Sequence, residues 1–144
     1  MPELPEVEVV RLGLEARLLQ RQIQDLEIYT PHIILPCPQS WPQRLKGQTV
    51  EAIERRAKYL ILRLSQDCLL IHLRMTGQML MQEAEAEALV LPFTYYRRAL
   101  LELPDKHTHL QLHFSRGLQL FFRDIRKFGR VELLSPSELD RPPG

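Results

Sequence analysis

Thr108-His109-Leu110-Gln111-Leu112-His113-Phe114-Ser115-Arg116-Gly117-Leu118-Gln119-Leu120-Phe121-Phe122-Arg123-Asp124 is the stretch that decides the fold class of this chain. Apolar and polar residues alternate through most of it, the period of a half-buried β-strand, and Ser115-Arg116-Gly117 interrupts the alternation with a turn signal. It predicts two strands, 108–115 and 118–124. The same period runs outward in both directions, predicting strands at 49–56, 58–65, 67–75, 78–82, 95–103 and 129–134. Further turn signals fall at Ser65-Gln66-Asp67, Thr76-Gly77 and Phe128-Gly129. Residues 22–30 alternate as another strand, residues 83–92 form a Glu/Ala-rich loop or helical turn, and the tail 135–144 is linker-like. Residues 36–47, with three prolines and a glycine, predict a loop holding one helical turn near Trp41–Leu45.

The N-terminus has a different period. Val7, Val10, Leu14 and Leu18 recur at three- and four-residue steps and mark one apolar stripe of a helix over residues 3–20. Glu3, Glu6 and Glu8 crowd its first turns, where carboxylates complement the helix dipole. One amphipathic helix and many short strands predict a mainly β fold: a two-sheet antiparallel β-sandwich flanked by an α-helix.

Length and composition narrow the class of function. The 144 residues are 44% hydrophobic and 26% charged, which suits one globular domain and excludes a disordered or low-complexity chain. No apolar run approaches the ~18 residues of a membrane span, and the acidic start does not resemble a signal peptide. The two cysteines, Cys37 and Cys68, form no CxxC pair, which fits a reducing cytoplasm and no structural zinc site. The net charge of +1 hides an uneven distribution: −3 over residues 1–43, +6 over 44–130 and −2 over 131–144. Clusters such as Arg55-Arg56-Ala57-Lys58 suit a polyanion partner, and equally a solvated strand face. His107, His109 and His113 share parity, but no thiolate or carboxylate falls in step with them, so no metal is assigned.

Pro2 is the most chemically suggestive residue. Methionine is commonly trimmed before proline, which would expose a secondary α-amine. An α-amine titrates at about 7.7–8.0 against about 10.4 for lysine, so much more of it is nucleophilic near neutral pH. Attack on a sugar C1′ or a carbonyl gives an iminium, with Glu3 and Glu6 within reach as proton carriers. The plain alternative is a helix start, with proline and glutamate in their usual first-turn places. If Met1 stays, the Pro2 nitrogen is an amide and the chemistry is lost.

Five motifs in order carry a resemblance. They are Pro2-Glu3-Leu4-Pro5-Glu6-Val7-Glu8, Arg55-Arg56-Ala57-Lys58-Tyr59-Leu60, His72-Leu73-Arg74-Met75-Thr76-Gly77, Lys106-His107-Thr108-His109 and Asp124-Ile125-Arg126-Lys127-Phe128-Gly129. Over nearly its whole length the chain resembles the N-terminal domain of bacterial formamidopyrimidine-DNA glycosylases. The resemblance implies base-excision repair of damaged double-stranded DNA. An oxidised purine such as 8-oxoguanine or a formamidopyrimidine is removed and the abasic strand is then cleaved. It implies Pro2 as Schiff-base nucleophile, Glu3 as acid/base, Glu6 as a further active-site carboxylate, and Lys58 as a phosphate contact that assists catalysis. His72 and His107 match histidines near the DNA backbone. Met75, Arg126 and Phe128 match the residues that enter the helix when the base is flipped out: a gap filler, a hydrogen-bonding partner for the orphaned cytosine, and a wedge.

The resemblance further implies a cytoplasmic bacterial monomer nearly twice this long, with one zinc on four cysteines in a C-terminal domain beyond a helix–two-turns–helix element. On that pattern residues 1–134 are the catalytic β-sandwich domain and 135–144 start the interdomain linker. DNA affinity rises steeply with the number of phosphate contacts, so the isolated domain is expected to be weak or inactive. Two departures from the family pattern stand out: Thr108 where Asp is frequent, and Ala57 where Gly is common. An endonuclease VIII-like enzyme for oxidised pyrimidines, or a non-catalytic DNA-binding module, are the alternatives.

Overall fold

The computed structural model of the chain describes residues 4–83, 88–91, 98–99, 103–127 and 129–140. Helix α1 (Leu4–Leu18) leads into β1 (Ile23–Ile28), a short β2 (Ile34–Leu35) and helix α2 (Trp41–Leu45). The strands β3 (Val50–Arg56), β4 (Tyr59–Leu64), β5 (Cys68–His72), β6 (Gly77–Glu83), β7 (Ala88–Leu91) and β8 (Arg98–Ala99) follow. The stretch that opened the sequence reading forms β9 (Thr108–Phe114) and β10 (Leu118–Asp124), and the chain continues through β11 (Arg130–Leu134) to a single turn, α3 (Pro136–Leu139). Strands β1-β9-β10-β6-β7-β8 form one sheet and β2-β11-β5-β4-β3 the other.

Alternation explains the two layers. Leu110, Leu112 and Phe114 of β9 and Leu118, Leu120 and Phe122 of β10 point into the core, where they meet Leu60, Leu62, Leu69, Ile71, Val131 and Leu133 of the facing sheet. The expected stripe of α1, Val7, Val10, Leu14 and Leu18, is wholly buried in this core. The helix packs on the edge strand β3 and reaches β7 of the other sheet, so it closes one side of the sandwich. Below it the two sheet edges are stitched together by Gln20 N to Val50 O (2.8 Å), Val50 N to Arg21 O (2.9 Å) and Ile23 N to Gln48 O (2.8 Å).

The two ends of the sandwich are built differently. At one end Trp41 and Leu45 of α2 enter the core. Beside them the Gln48 side-chain amide donates to Asp67 (2.8 Å), its oxygen accepts from the Gln66 and Asp67 backbone (2.9 and 3.0 Å), and Arg44 pairs with Asp67 (2.8 Å). Gln48 and Asp67 are thus satisfied at that end, while the buried Trp41 Nε1 beside them has no hydrogen-bond partner. The opposite end carries the β3–β4, β5–β6 and β10–β11 connections and the start of β9, and most of its charges face solvent.

Several expectations shift. The pairing of β11 with β2 is parallel, whereas the other strand pairs among the described residues are antiparallel. The strand expected to run to residue 75 stops at His72, because Leu73–Gly77 folds into a turn closed by Gly77 N to Leu73 O (2.9 Å). Part of the supposed 83–92 loop is a strand: Leu89, Val90 and Leu91 pair with Met81, Leu80 and Met79. Of the strand expected at 95–103, residues 98–99 pair with β7, residue 103 lies in a bend, and the rest falls outside the described residues. The start of the linker-like tail is a helical turn held by a full capping box between Ser135 and Glu138. Its Leu139 covers Ile61 and Cys68 on the outer face of the five-stranded sheet. A Ser-Pro-Ser-Glu tetrad is a capping signature that composition alone obscures.

Ala57 occupies a position whose backbone favours glycine. It is the first of two residues joining β3 to β4 and has φ +54°, in the left-handed region that costs an L-residue free energy. Ala57→Gly is expected to raise stability by about 0.5–1 kcal/mol, since relief of roughly 1–2 kcal/mol of strain is partly offset by chain entropy. Urea melts of the two proteins measure it.

Candidate nucleic-acid interface

The open end collects residues that are far apart in sequence. Tyr59 of β4, His72 of β5 and Arg130 of β11 stand in one row across the five-stranded sheet. The Tyr59 and His72 rings lie 4.5 Å apart between centroids, tilted by 39°. Burial holds the His72 imidazole below its ordinary pKa, and the nearby Arg74 and Lys58 cations push it the same way. Lys58, His72 and Arg74 therefore form one electropositive cluster in which the imidazole stays neutral at pH 7.

That shift has a consequence for stability. In the unfolded chain the imidazole titrates near ~6.5. Below that pH the unfolded state takes up a proton that folded His72 resists, so stability falls as pH drops through the window beneath ~6.5 and is unaffected above it. In urea melts at pH 7.5 and 5.5, wild type is expected to lose more stability on acidification than His72→Gln. Equal losses would show that His72 carries none of the acid sensitivity.

The six-stranded sheet contributes the other half of the rim. Asp124 ends β10 opposite Gly77 and is fully buried. Its Oδ1 accepts hydrogen bonds from the Thr76 hydroxyl and the Arg126 N–H (3.1 Å), and its Oδ2 accepts from the Gly129 N–H (2.8 Å). Its backbone N–H donates to the His107 carbonyl (3.0 Å), and its carbonyl accepts from His109 Nε2 (2.6 Å). His107 is set by a further turn. Asp105 accepts from the His107 N–H (3.2 Å) and the Thr108 hydroxyl (2.9 Å) and pairs with Arg123 (2.9 Å), and these donors hold its carboxyl below the usual range against the opposing effect of burial. Thr108 thus does local work with Asp105.

Met75 and Ile125 project from these turns, 56% and 57% exposed, among the charges of Arg74, Arg126 and Lys127. Three non-glycine residues on the rim have left-handed backbone: Ala57 (φ +54°), Arg74 (φ +57°) and Lys127 (φ +58°). Each adjoins a residue singled out in the sequence: Lys58, Met75 and Arg126. Strain of this kind persists where the surrounding structure over-determines the conformation, and it concentrates at binding and catalytic sites.

The orientation of α1 brings its first turns to the same rim. Glu8 is held by Arg11 (2.7 Å) and by Arg55 of β3 (3.0 Å), and these two guanidiniums lower its carboxyl pKa to about 2. Arg55 lies beside the β3–β4 connection, whereas the helix C-terminus meets Val50 at the start of β3. Glu6, exposed in the first turn of α1, therefore stands at the end that carries Lys58. Pro2, Glu3 and Phe128 lie outside the described residues.

Of the sequence-chosen residues, Glu6, Lys58, His72, Met75, His107 and Arg126 all come to one end of the sandwich. The three histidines do not gather as ligands. His109 is buried between Asp124 and the Thr30 hydroxyl (Nδ1, 2.6 Å), while His113 lies 3.3 Å from Glu27 on the outer face. Among the described residues no group of three or more His, Cys, Asp or Glu side chains could hold a metal ion, and no helix is long and apolar enough to cross a membrane. Sequence reasoning missed Asp124, Thr76 and Ile125. All three lie inside the ordered motifs, and the first two could have been found as polar residues at turn boundaries, where a side chain must satisfy free backbone donors.

Comparison with known proteins agrees with this arrangement. The family model described as "Formamidopyrimidine-DNA glycosylase N-terminal domain" matches residues 1–131. The formamidopyrimidine-DNA glycosylase of Enterococcus faecalis is 40% identical over 139 residues, covering 96% of this chain and 44% of that protein. The protein of the same name from Geobacillus kaustophilus is 37% identical over 145 residues, covering 99% and 47%. The crystal structure of the Lactococcus lactis protein in complex with Fapy-dG-containing DNA superposes with a TM-score of 0.79 at 34% identity, covering 95% of this chain and 46% of that one. A complex of the same protein with abasic-site DNA matches equally well, at a TM-score of 0.79. This chain spans about half the length of the curated relatives it matches. It belongs to the formamidopyrimidine-DNA glycosylase family and carries that family's N-terminal domain.

Proposed function

We propose that this chain is the catalytic and base-flipping half of a DNA glycosylase that removes oxidised purines and then cleaves the abasic strand. The observation that carries the reading is the rim. Four separate segments deliver Lys58, His72, Met75, His107 and Arg126 to one edge, with an exposed apolar Met75 set among cations. A flipped base leaves a gap and an orphaned partner, at a cost of a few kcal/mol that inserted side chains must offset. An unbranched Met75 suits the gap, the planar fork of Arg126 suits the orphaned base, and Lys58, His72 and His107 suit phosphates. The similarity to proteins named formamidopyrimidine-DNA glycosylase, and to complexes of one of them with damaged DNA, favours this reading over a non-catalytic module.

The chemistry falls to the N-terminus. The Pro2 amine forms a bond to C1′ of the lesion nucleotide as the glycosidic bond breaks, and the base leaves with a proton. Glu3 moves protons on the deoxyribose, opening the ring to an iminium, and Glu6 lies at the same end. Loss of a C2′ proton then expels the 3′ phosphate. The four-cysteine zinc site implied for the whole protein does not fit this chain. It has only Cys37, exposed, and Cys68, buried beneath α3.

The test is borohydride trapping. The trimmed chain, at high concentration and low salt, is mixed with duplex DNA containing an abasic site and reduced. A covalent adduct supports the reading, and none under these conditions would sink catalysis by this domain. Comparing excision of 8-oxoguanine with that of thymine glycol by the two-domain protein separates it from an endonuclease VIII-like specificity.

A further inference from the structure

We propose that Asp124, through the Thr76 hydroxyl, is a positioning residue that locks the Met75 turn and the Arg126 turn into one rigid reading edge; this rests on the rim being the DNA-contacting edge. The two turns belong to different connections, β5–β6 and β10–β11, and the Asp124 carboxylate is bonded to both. Thr76, next to Met75, donates to Oδ1, while the N–H groups of Arg126 and Gly129 donate to Oδ1 and Oδ2. The carboxylate is fully buried, so each lost donor leaves an acceptor unsatisfied away from water.

The surroundings leave the latch no slack. A Cβ on Gly129 would sit 3.1 Å from Asp124 Oδ2, 3.0 Å from the His72 carbonyl and 2.5 Å from the fully buried Phe122 ring. The backbone of Asp124 also fixes the His107 carbonyl. One side chain therefore sets the spacing between Met75, which would fill the gap, and Arg126, which would read the base opposite it. Neither group works if the other is displaced by an ångström, because gap filling and pairing happen in the same base step.

A structural carboxylate that merely held the turns together would affect stability alone, so the test reads spacing and selectivity. Thr76→Val removes the hydroxyl at nearly constant shape, and Thr76→Ser keeps it. In the DNA-free chain, Thr76→Val is expected to shift the amide resonances of Arg126 and Gly129, on the other turn, and Thr76→Ser to leave them near their wild-type positions. On abasic-site duplexes at low salt, Thr76→Val is expected to reduce the preference for cytosine over adenine opposite the site by about tenfold, with Thr76→Ser restoring it. Unmoved Arg126 and Gly129 amides in a folded Thr76→Val protein would overturn the latch. Moved amides with an unchanged cytosine preference would overturn its reading role. If the wild-type chain itself does not prefer abasic over intact duplex, the reading of the rim is what fails, while moved amides still support the mechanical coupling.

Discussion

Gly77→Ala is expected to destabilise the domain by about 3 kcal/mol, the upper part of the range for forcing a methyl group into filled space. A Cβ at this position would lie 2.4 Å from the Leu73 carbonyl oxygen, 2.9 Å from its Cα and 3.0 Å from its carbonyl carbon. All three are backbone atoms, so no side chain can swing aside. Relief requires opening the Leu73–Gly77 turn and losing its 2.9 Å closing hydrogen bond. The strain then reaches Asp124, which pairs with Gly77 across the sheet. Gly47 gives the contrast. It has φ +93° and no atom within 4 Å of a Cβ, so alanine there meets backbone strain without a clash, for which about 1–2 kcal/mol is expected. Chemical denaturation of the two variants should rank Gly77→Ala well below Gly47→Ala. A Gly77→Ala protein as stable as wild type would mean that the turn opens without cost.

The architecture was legible because alternation is a property of the backbone. Once Leu110, Leu112 and Phe114 share a face, β9 can sit only with that face on a core, and the same holds for β10 and β4. The α1 stripe was legible for the equivalent reason at period 3.6. What escaped depends on contacts distant in sequence. The parallel β2 is two residues long and takes its identity from Val131 and Glu132, which lie almost a hundred positions away. The strand 88–91 lay in a Glu/Ala-rich segment, where propensity is weak and pairing with β6 decides. The candidate site shows the same division. Ordered motifs singled out Lys58, His72, Met75, His107 and Arg126, whereas Asp124 was visible only as part of a motif. Its work is to satisfy three donors with its carboxylate, the His109 ring with its carbonyl and the His107 carbonyl with its own N–H, and that is a property of folded geometry.

Blocking the Pro2 amine is expected to reduce borohydride trapping by at least ~100-fold, the lower bound for removing a group that takes part in the bond-making step. The cleanest comparison changes one bond. Chain that retains Met1 has an amide nitrogen at Pro2, which has no basic lone pair to form an iminium, while the trimmed chain has a secondary amine. The two share every other residue, so their DNA affinity should be nearly the same and only the trapped fraction should differ. The pH response follows from the amine: with a pKa of about 7.7–8.0, the nucleophilic fraction rises roughly tenfold per unit below that range and levels off above it. Trapping by the trimmed chain should therefore climb from pH 6 to 8. Glu3→Gln separates the two stages. It leaves the amine intact and removes the proton carrier, so adduct formation on a preformed abasic site should persist while excision of an 8-oxoguanine base falls by about 100-fold or more. Intact mass establishes which form is present before any comparison is made. Equal trapping by the Met1-retaining and trimmed chains would move the nucleophile away from Pro2, and Lys58, the amine at the same rim, would be the first side chain to replace.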